Sequence, residues 1–144
     1  MTPPQTPPRA PPAGRPDDVD TGFWLWVAAV PLLAIGYLID GFGSPVGGDS
    51  VYLRGMSVVL LVVVCAIVVT FLLLMRQGYR WSRTVLSAGG FGSIVYTVTN
   101  LFTVDRDSAV AAVGYAGAAI MGSVLIAGGL VLLHRKDADA FFAR

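Results

Sequence analysis

The densest group of side chains able to do chemistry is Arg76, Tyr79, Arg80, Trp81 and Arg83, three guanidinium groups interleaved with two aromatic rings. Near an anionic leaflet each cation contributes about 1 kcal/mol, so the run suits an anionic lipid headgroup or an acidic partner. Any cytoplasmic loop carries similar residues to set orientation and anchor the interface, and that plainer role takes precedence here. Arg135, Lys136 and the Phe141-Phe142 pair extend the same surface, while Asp137 and Asp139 dilute its field. Other chemistries lack their parts. His134 is the only histidine, Cys65 the only cysteine, and the chain has no Glu. A metal or haem centre needs several converging ligands, and a Ser or Cys nucleophile needs a base. The sequence therefore implies no catalytic residue, no metal and no cofactor. With a net charge of +1 it lacks a nucleic-acid footprint as well.

Small residues form a second pattern. Gly114, Ala118 and Gly122 recur every four residues, as do Ala119, Ser123 and Ala127, and Ala88 and Gly92 repeat the spacing upstream. Small-xxx-small rows let helix backbones approach closely, within one bundle or between subunits. Packing within the bundle is the simpler expectation. Gly90-Phe-Gly92 begins a dinucleotide fingerprint, but Val95 stands where its third glycine would be, inside an apolar run.

The elements that must position these residues follow from composition. Of 144 residues, 55% are hydrophobic and 13% charged, with a mean hydropathy of +0.70. Soluble domains carry about 25% charged residues. Four runs, Gly22–Ile39, Met56–Met75, Val85–Val104 and Ala109–Leu133, contain no charged residue. A helix of about 20 such residues crosses a bilayer, and in lipid each backbone polar group must be paired within its own segment. The expected fold is all-α: an antiparallel bundle of four transmembrane helices within residues 21–134. Residues 1–20, with most of the prolines, read as a Pro-rich cytoplasmic tail that buries no core, and 135–144 as a short second tail. Three aspartates (Asp17, Asp18 and Asp20) precede the first run where a signal peptide would be basic.

Local signals mark the boundaries. Asp20 or Thr21 can cap the first helix, and Ser108 or Asp107 the fourth. Pro31 removes the amide partner of the Val27 carbonyl. Gly78 is free to take positive φ in the turn between the second and third helices. Asp40 and Arg54 flank the first outer loop and can pair across it. Asn100 is expected to bond a neighbouring helix, while Ser and Thr hydroxyls bond back to their own. With the N-terminus inside, eight of the ten Lys and Arg fall on the inner side and only Arg54 and Arg106 outside. This asymmetry orients both termini to the cytoplasm, with Trp24, Trp26 and Trp81 at the inner interface.

The phrases Asp18-Val-Asp-Thr-Gly-Phe-Trp-Leu-Trp26, Leu74-Met-Arg-Gln-Gly-Tyr-Arg-Trp-Ser-Arg-Thr84 and Leu133-His-Arg-Lys-Asp-Ala-Asp-Ala-Phe-Phe142 follow the Pro-rich leader. Together they resemble uncharacterised small four-helix membrane proteins of actinobacteria, of mycobacterial type. The resemblance implies a bacterial plasma membrane and assigns no activity. Small multidrug exporters match in size alone, because they need a membrane-embedded glutamate that is missing here. The leading expectation is a non-enzymatic accessory or scaffold subunit, acting in the bilayer through other membrane proteins or through self-association. The alternative is a small oligomeric carrier or flippase for a lipid or lipid-linked sugar.

Overall fold

The computed structural model describes residues 17–43, 51–106 and 108–135. Those residues form four helices: α1 (Asp17–Gly43), α2 (Val51–Arg76), α3 (Arg80–Thr103) and α4 (Ala109–Leu133). Each is long and apolar enough to cross a membrane, which makes this an all-α, multi-pass membrane bundle. Successive helices pack side by side and antiparallel, and α4 closes the ring against α1. Asp18 on α1 lies 3.2 Å from Arg135 after α4, so the first and last helices begin and end on one side.

Helix bounds exceed the apolar runs at several ends. The first turn of α1 contains Asp17, Asp18 and Asp20, which therefore sit within the helix and not as caps before it. Their negative charges meet the positive end of the helix dipole. The helix continues through Pro31, whose side is exposed. At its other end α2 closes in a Schellman turn: Tyr79 N–H donates to Leu74 O at 3.2 Å and Gly78 N–H to Met75 O at 2.9 Å. Gly78 takes φ 94°, the left-handed conformation that this cap requires and that glycine adopts without a Cβ penalty. Ser108 caps α4, its Oγ accepting from Ala111 N–H at 3.5 Å.

The α1–α4 seam is built from glycines facing bulky side chains. A Cβ on Gly122 would lie 2.7 Å from Leu33 Cδ2, one on Gly129 2.6 Å from Trp26 Cδ1, and one on Gly114 3.3 Å from Ile39 Cδ1. The pattern reverses at Gly22 against Leu133 and at Gly36 against Ala118. Lipid tails are as apolar as these side chains, so close van der Waals fit, not hydrophobic exclusion, holds the two helices. Trp26 is 4% exposed. It belongs to the core beside Leu72, Met75, Leu86 and Ile126, and not to an interfacial belt. Trp24 and Trp81 are exposed.

Packing is uneven around the ring. Leu72 and Met75 bury the last turns of α2, whereas every residue from Val51 to Leu60 is exposed. One end of α2 is therefore held in the core, and the other contributes no buried residue.

Candidate functional site

The structure divides the basic group between three elements. Arg76 ends α2, Gln77 to Tyr79 form the turn, and Arg80, Trp81 and Arg83 open α3. Arg76 Nη2 donates to Asp20 Oδ1 at 3.0 Å, and its guanidinium lies 4.8 Å from the Phe23 ring centroid. Arg83 stands at the positive end of α3, an unfavourable place for a cation. It reaches the negative end of α4, where Nη1 donates to Leu133 O at 3.2 Å. Trp81 packs edge-on against Phe71 with centroids 5.3 Å apart, and Tyr79 is exposed. Arg80 makes no ion pair among the described residues. Arg76 and Arg83 thus tie helix ends together, and Arg80 is left facing outward.

The small-residue rows also separate. Gly114, Ala118 and Gly122 face Ile39, Gly36 and Leu33 of α1. Ala88 and Gly92 are exposed on α3, and a Cβ on Gly92 would meet nothing within 4 Å. Those two residues pack on no helix of this bundle.

A cleft of about 460 Å³ opens along the bundle interior, lined on α2 by residues between Leu61 and Phe71. Its walls include Leu33 and Tyr37 of α1, Cys65 and Phe71 of α2, Gly89 and Ser93 of α3, and Ala119 and Ile126 of α4. From Trp26 to Asp40 on α1, or Leu86 to Asn100 on α3, it runs about four helical turns, roughly 21 Å. That exceeds half of the roughly 30 Å hydrocarbon core. The walls are apolar along most of this length.

The charged and amide groups of the lining, Asp40 and Asn100, sit at one end, while Trp26 Nε1, buried without a partner, lies at the other. Asp40 does not pair with Arg54 across the loop; Arg54 lies over the Phe42 ring at 5.9 Å. Asp40 Oδ1 instead accepts from Arg106 Nη2 at 2.8 Å, and its Oδ2 accepts from Asn100 Nδ2 at 3.1 Å. Sixty-six residues of sequence separate the ion pair, so loop proximity could not reveal it. Arg106 donates through Nη1 to Val104 O at 3.0 Å and stacks 3.7 Å above the Tyr115 ring. Tyr115 in turn donates to Thr97 O at 3.5 Å. One polar cluster thereby links α1, α3 and α4. The Arg106 side chain is only 7% exposed, and in that setting an unpaired cation would cost several kcal/mol.

Three hydroxyls in the spans bond locally, Ser57 Oγ donating to Leu53 O, Thr70 Oγ1 to Ala66 O and Thr103 Oγ1 to Thr99 O, whereas Ser87 Oγ is buried without a partner. The cleft itself had no signal in the sequence, because apolar walls and an apolar core use the same residues. Comparison with family models, with curated proteins and with solved structures returns no match.

Proposed function

We propose that the protein is a non-enzymatic membrane component that holds the apolar chain of an amphiphile in the interhelical cleft, as a small lipid carrier would. The observation that supports this most is the cleft itself. Its volume lies within the roughly 300–1,000 Å³ of small-molecule sites, and its one charged side chain among the described residues, Asp40, sits at one end. Arg76, Arg80 and Arg83 do not line it. A headgroup seated with its chain in the cleft would therefore lie at the Asp40 end, not against the arginine turn.

We place the protein in a bacterial plasma membrane with both termini cytoplasmic. That reading rests on the eight-to-two distribution of Lys and Arg and on the resemblance to actinobacterial four-helix proteins. On this orientation the Asp40 end faces outward. A scaffold role through other membrane proteins is the second reading, supported by the outward Ala88–Gly92 row, which offers a close-approach face to another helix.

Two glycines of α3 separate these readings. A Cβ on either would meet nothing within 4 Å, but Gly89 lines the cleft and Gly92 does not. Gly89→Leu should fill the cleft, and Gly92→Leu should alter only the outer face. Co-purified lipid read by native mass spectrometry should be retained by wild type and Gly92→Leu and lost from Gly89→Leu. Equal retention by all three would refute the cleft reading. Loss of a co-purifying membrane protein from Gly92→Leu alone would support the scaffold.

A further inference from the structure

A second cavity, of about 510 Å³, abuts the cleft at its Asp40 end. On α2 its wall runs from Leu53 to Leu60, and the wall of the cleft begins at Leu61; on α1 Tyr37 and Asp40 line both. Among the described residues two charged side chains line this second cavity, Asp40 and Arg54, and their states differ. Asp40 is balanced by Arg106 at 2.8 Å and bonded by Asn100 at 3.1 Å. Arg54 is exposed and has no ion pair or side-chain hydrogen bond among the described residues. Its guanidinium rests over the Phe42 ring, 5.9 Å from the centroid. A ring face attracts the cation but accepts no hydrogen bond in the guanidinium plane, so the N–H groups stay available.

Charge then narrows the ligand. With Asp40 and Arg106 cancelling, the lining keeps one positive charge, and it stands in the first turn of α2, where the helix dipole is also positive. A cationic head is repelled there, and a neutral head leaves the Arg54 charge uncompensated. An oxyanion compensates it and can accept from two of its N–H groups together. The buried atoms without partners play no part. Asn100 Oδ1, Arg106 Nε and, at the far end of the cleft, Trp26 Nε1 are closed to solvent, whereas Arg54 is open to it.

We propose that Arg54 seats the oxyanion headgroup of an amphiphile whose chain passes Tyr37 into the cleft. This rests on the carrier reading above and adds the class of headgroup.

The test is a native mass spectrometry titration of the purified full chain with hexadecyl sulfate, hexadecanol and hexadecyltrimethylammonium, which share one hydrocarbon chain. Wild type should bind the sulfate about two- to fivefold more tightly than the alcohol, the range of an exposed charge pair, and the ammonium more weakly than either. In Arg54→Gln the sulfate should fall to the level of the alcohol or below, with the alcohol unchanged. Arg80→Gln, which removes an exposed arginine from the opposite end, should keep the wild-type preference. Gly89→Leu should lose sulfate and alcohol together, and methyl sulfate, a head without a chain, should displace neither. Equal binding of sulfate and alcohol to wild type, or an unchanged preference in Arg54→Gln, would overturn the headgroup assignment while leaving the cleft as a chain site. Sulfate binding that survives Gly89→Leu or yields to methyl sulfate would mark a site for free anions and overturn the joint seat. Failure of every probe to bind wild type would overturn the carrier reading and this proposal together.

Discussion

Within the ring, α1 meets α4 and α2 on opposite terms. Against α4 it fits along its whole length, glycine to large side chain, from Gly22–Leu133 to Ile39–Gly114. Against α2 the buried contacts lie at one end, and at the other Arg54 rests over the exposed Phe42 ring. Leu72 and Met75 are buried at the first end, where Arg76 reaches Asp20, while Val51 to Leu60 stay exposed. Of the three ion pairs of α1 among the described residues, Asp18–Arg135 joins it to the end of α4 with Arg135 exposed, and the other two differ in burial. Asp40–Arg106 is buried and joins α1 to the α3–α4 side; Asp20–Arg76 is more than a third exposed on both partners and joins it to α2. In a bilayer, apolar composition alone favours neither neighbour, so shape fit decides which helices adhere.

The largest expected effect comes from breaking the buried pair. Asp40→Ala leaves Arg106 without its partner and Asn100 Nδ2 without its acceptor. Removing one member of a buried pair costs about 3–5 kcal/mol, and the 20% exposure of Asp40 places the loss toward the lower figure. Thermal unfolding in detergent should show it as the largest drop in Tm among these variants. An unchanged Tm would mean that the pair does not lock α1 to the α3–α4 side.

Next comes the seam. Gly122→Leu drives a side chain into Leu33, whose Cγ would lie 2.9 Å from the new Cβ and whose backbone nitrogen lies 3.8 Å away. Overpacking of this kind costs about 1–3 kcal/mol. Wild-type stability of Gly122→Leu would show that α1 and α4 can separate freely and would remove the contrast with α2.

Two truncations on α2 sharpen the difference between its ends. Leu72→Ala opens a hole in the core cluster that also contains Met75, Leu86 and Trp26. Its cost should fall below the about 2–5 kcal/mol of a water-soluble core, because lipid solvates the separated helix. Leu60→Ala, at an exposed position, should stay within about 0.5 kcal/mol of wild type. Equal losses from the two would mean that α2 packs evenly along its length.

The smallest effects belong to the basic end. Arg76→Gln should cost about 0–1 kcal/mol and less at high salt, as expected for a pair with partners 35% and 41% exposed. Arg80→Gln should leave both stability and co-purified anionic lipid unchanged. Loss of that lipid would restore the arginine turn as a binding site.

Much of this architecture was legible in the sequence, since local properties determine it. Four uncharged runs imply four helices, because backbone groups in lipid must be satisfied within their own segment. Gly78 and Ser108 announced a turn and a cap through conformation and hydrogen bonding that involve only near neighbours. The four-residue spacing of Gly114, Ala118 and Gly122 marked a face able to approach another helix. Which small-residue row would be covered was not legible: the Ala88–Gly92 row has the same spacing and faces outward. Nor could the sequence assign Asp40 to Arg106, bury Trp26 or leave one end of α2 exposed. Membrane helices are apolar all round, so no stripe marks the side that packs. Tertiary structure decides those points, because they depend on the match in shape and charge between side chains far apart in the chain.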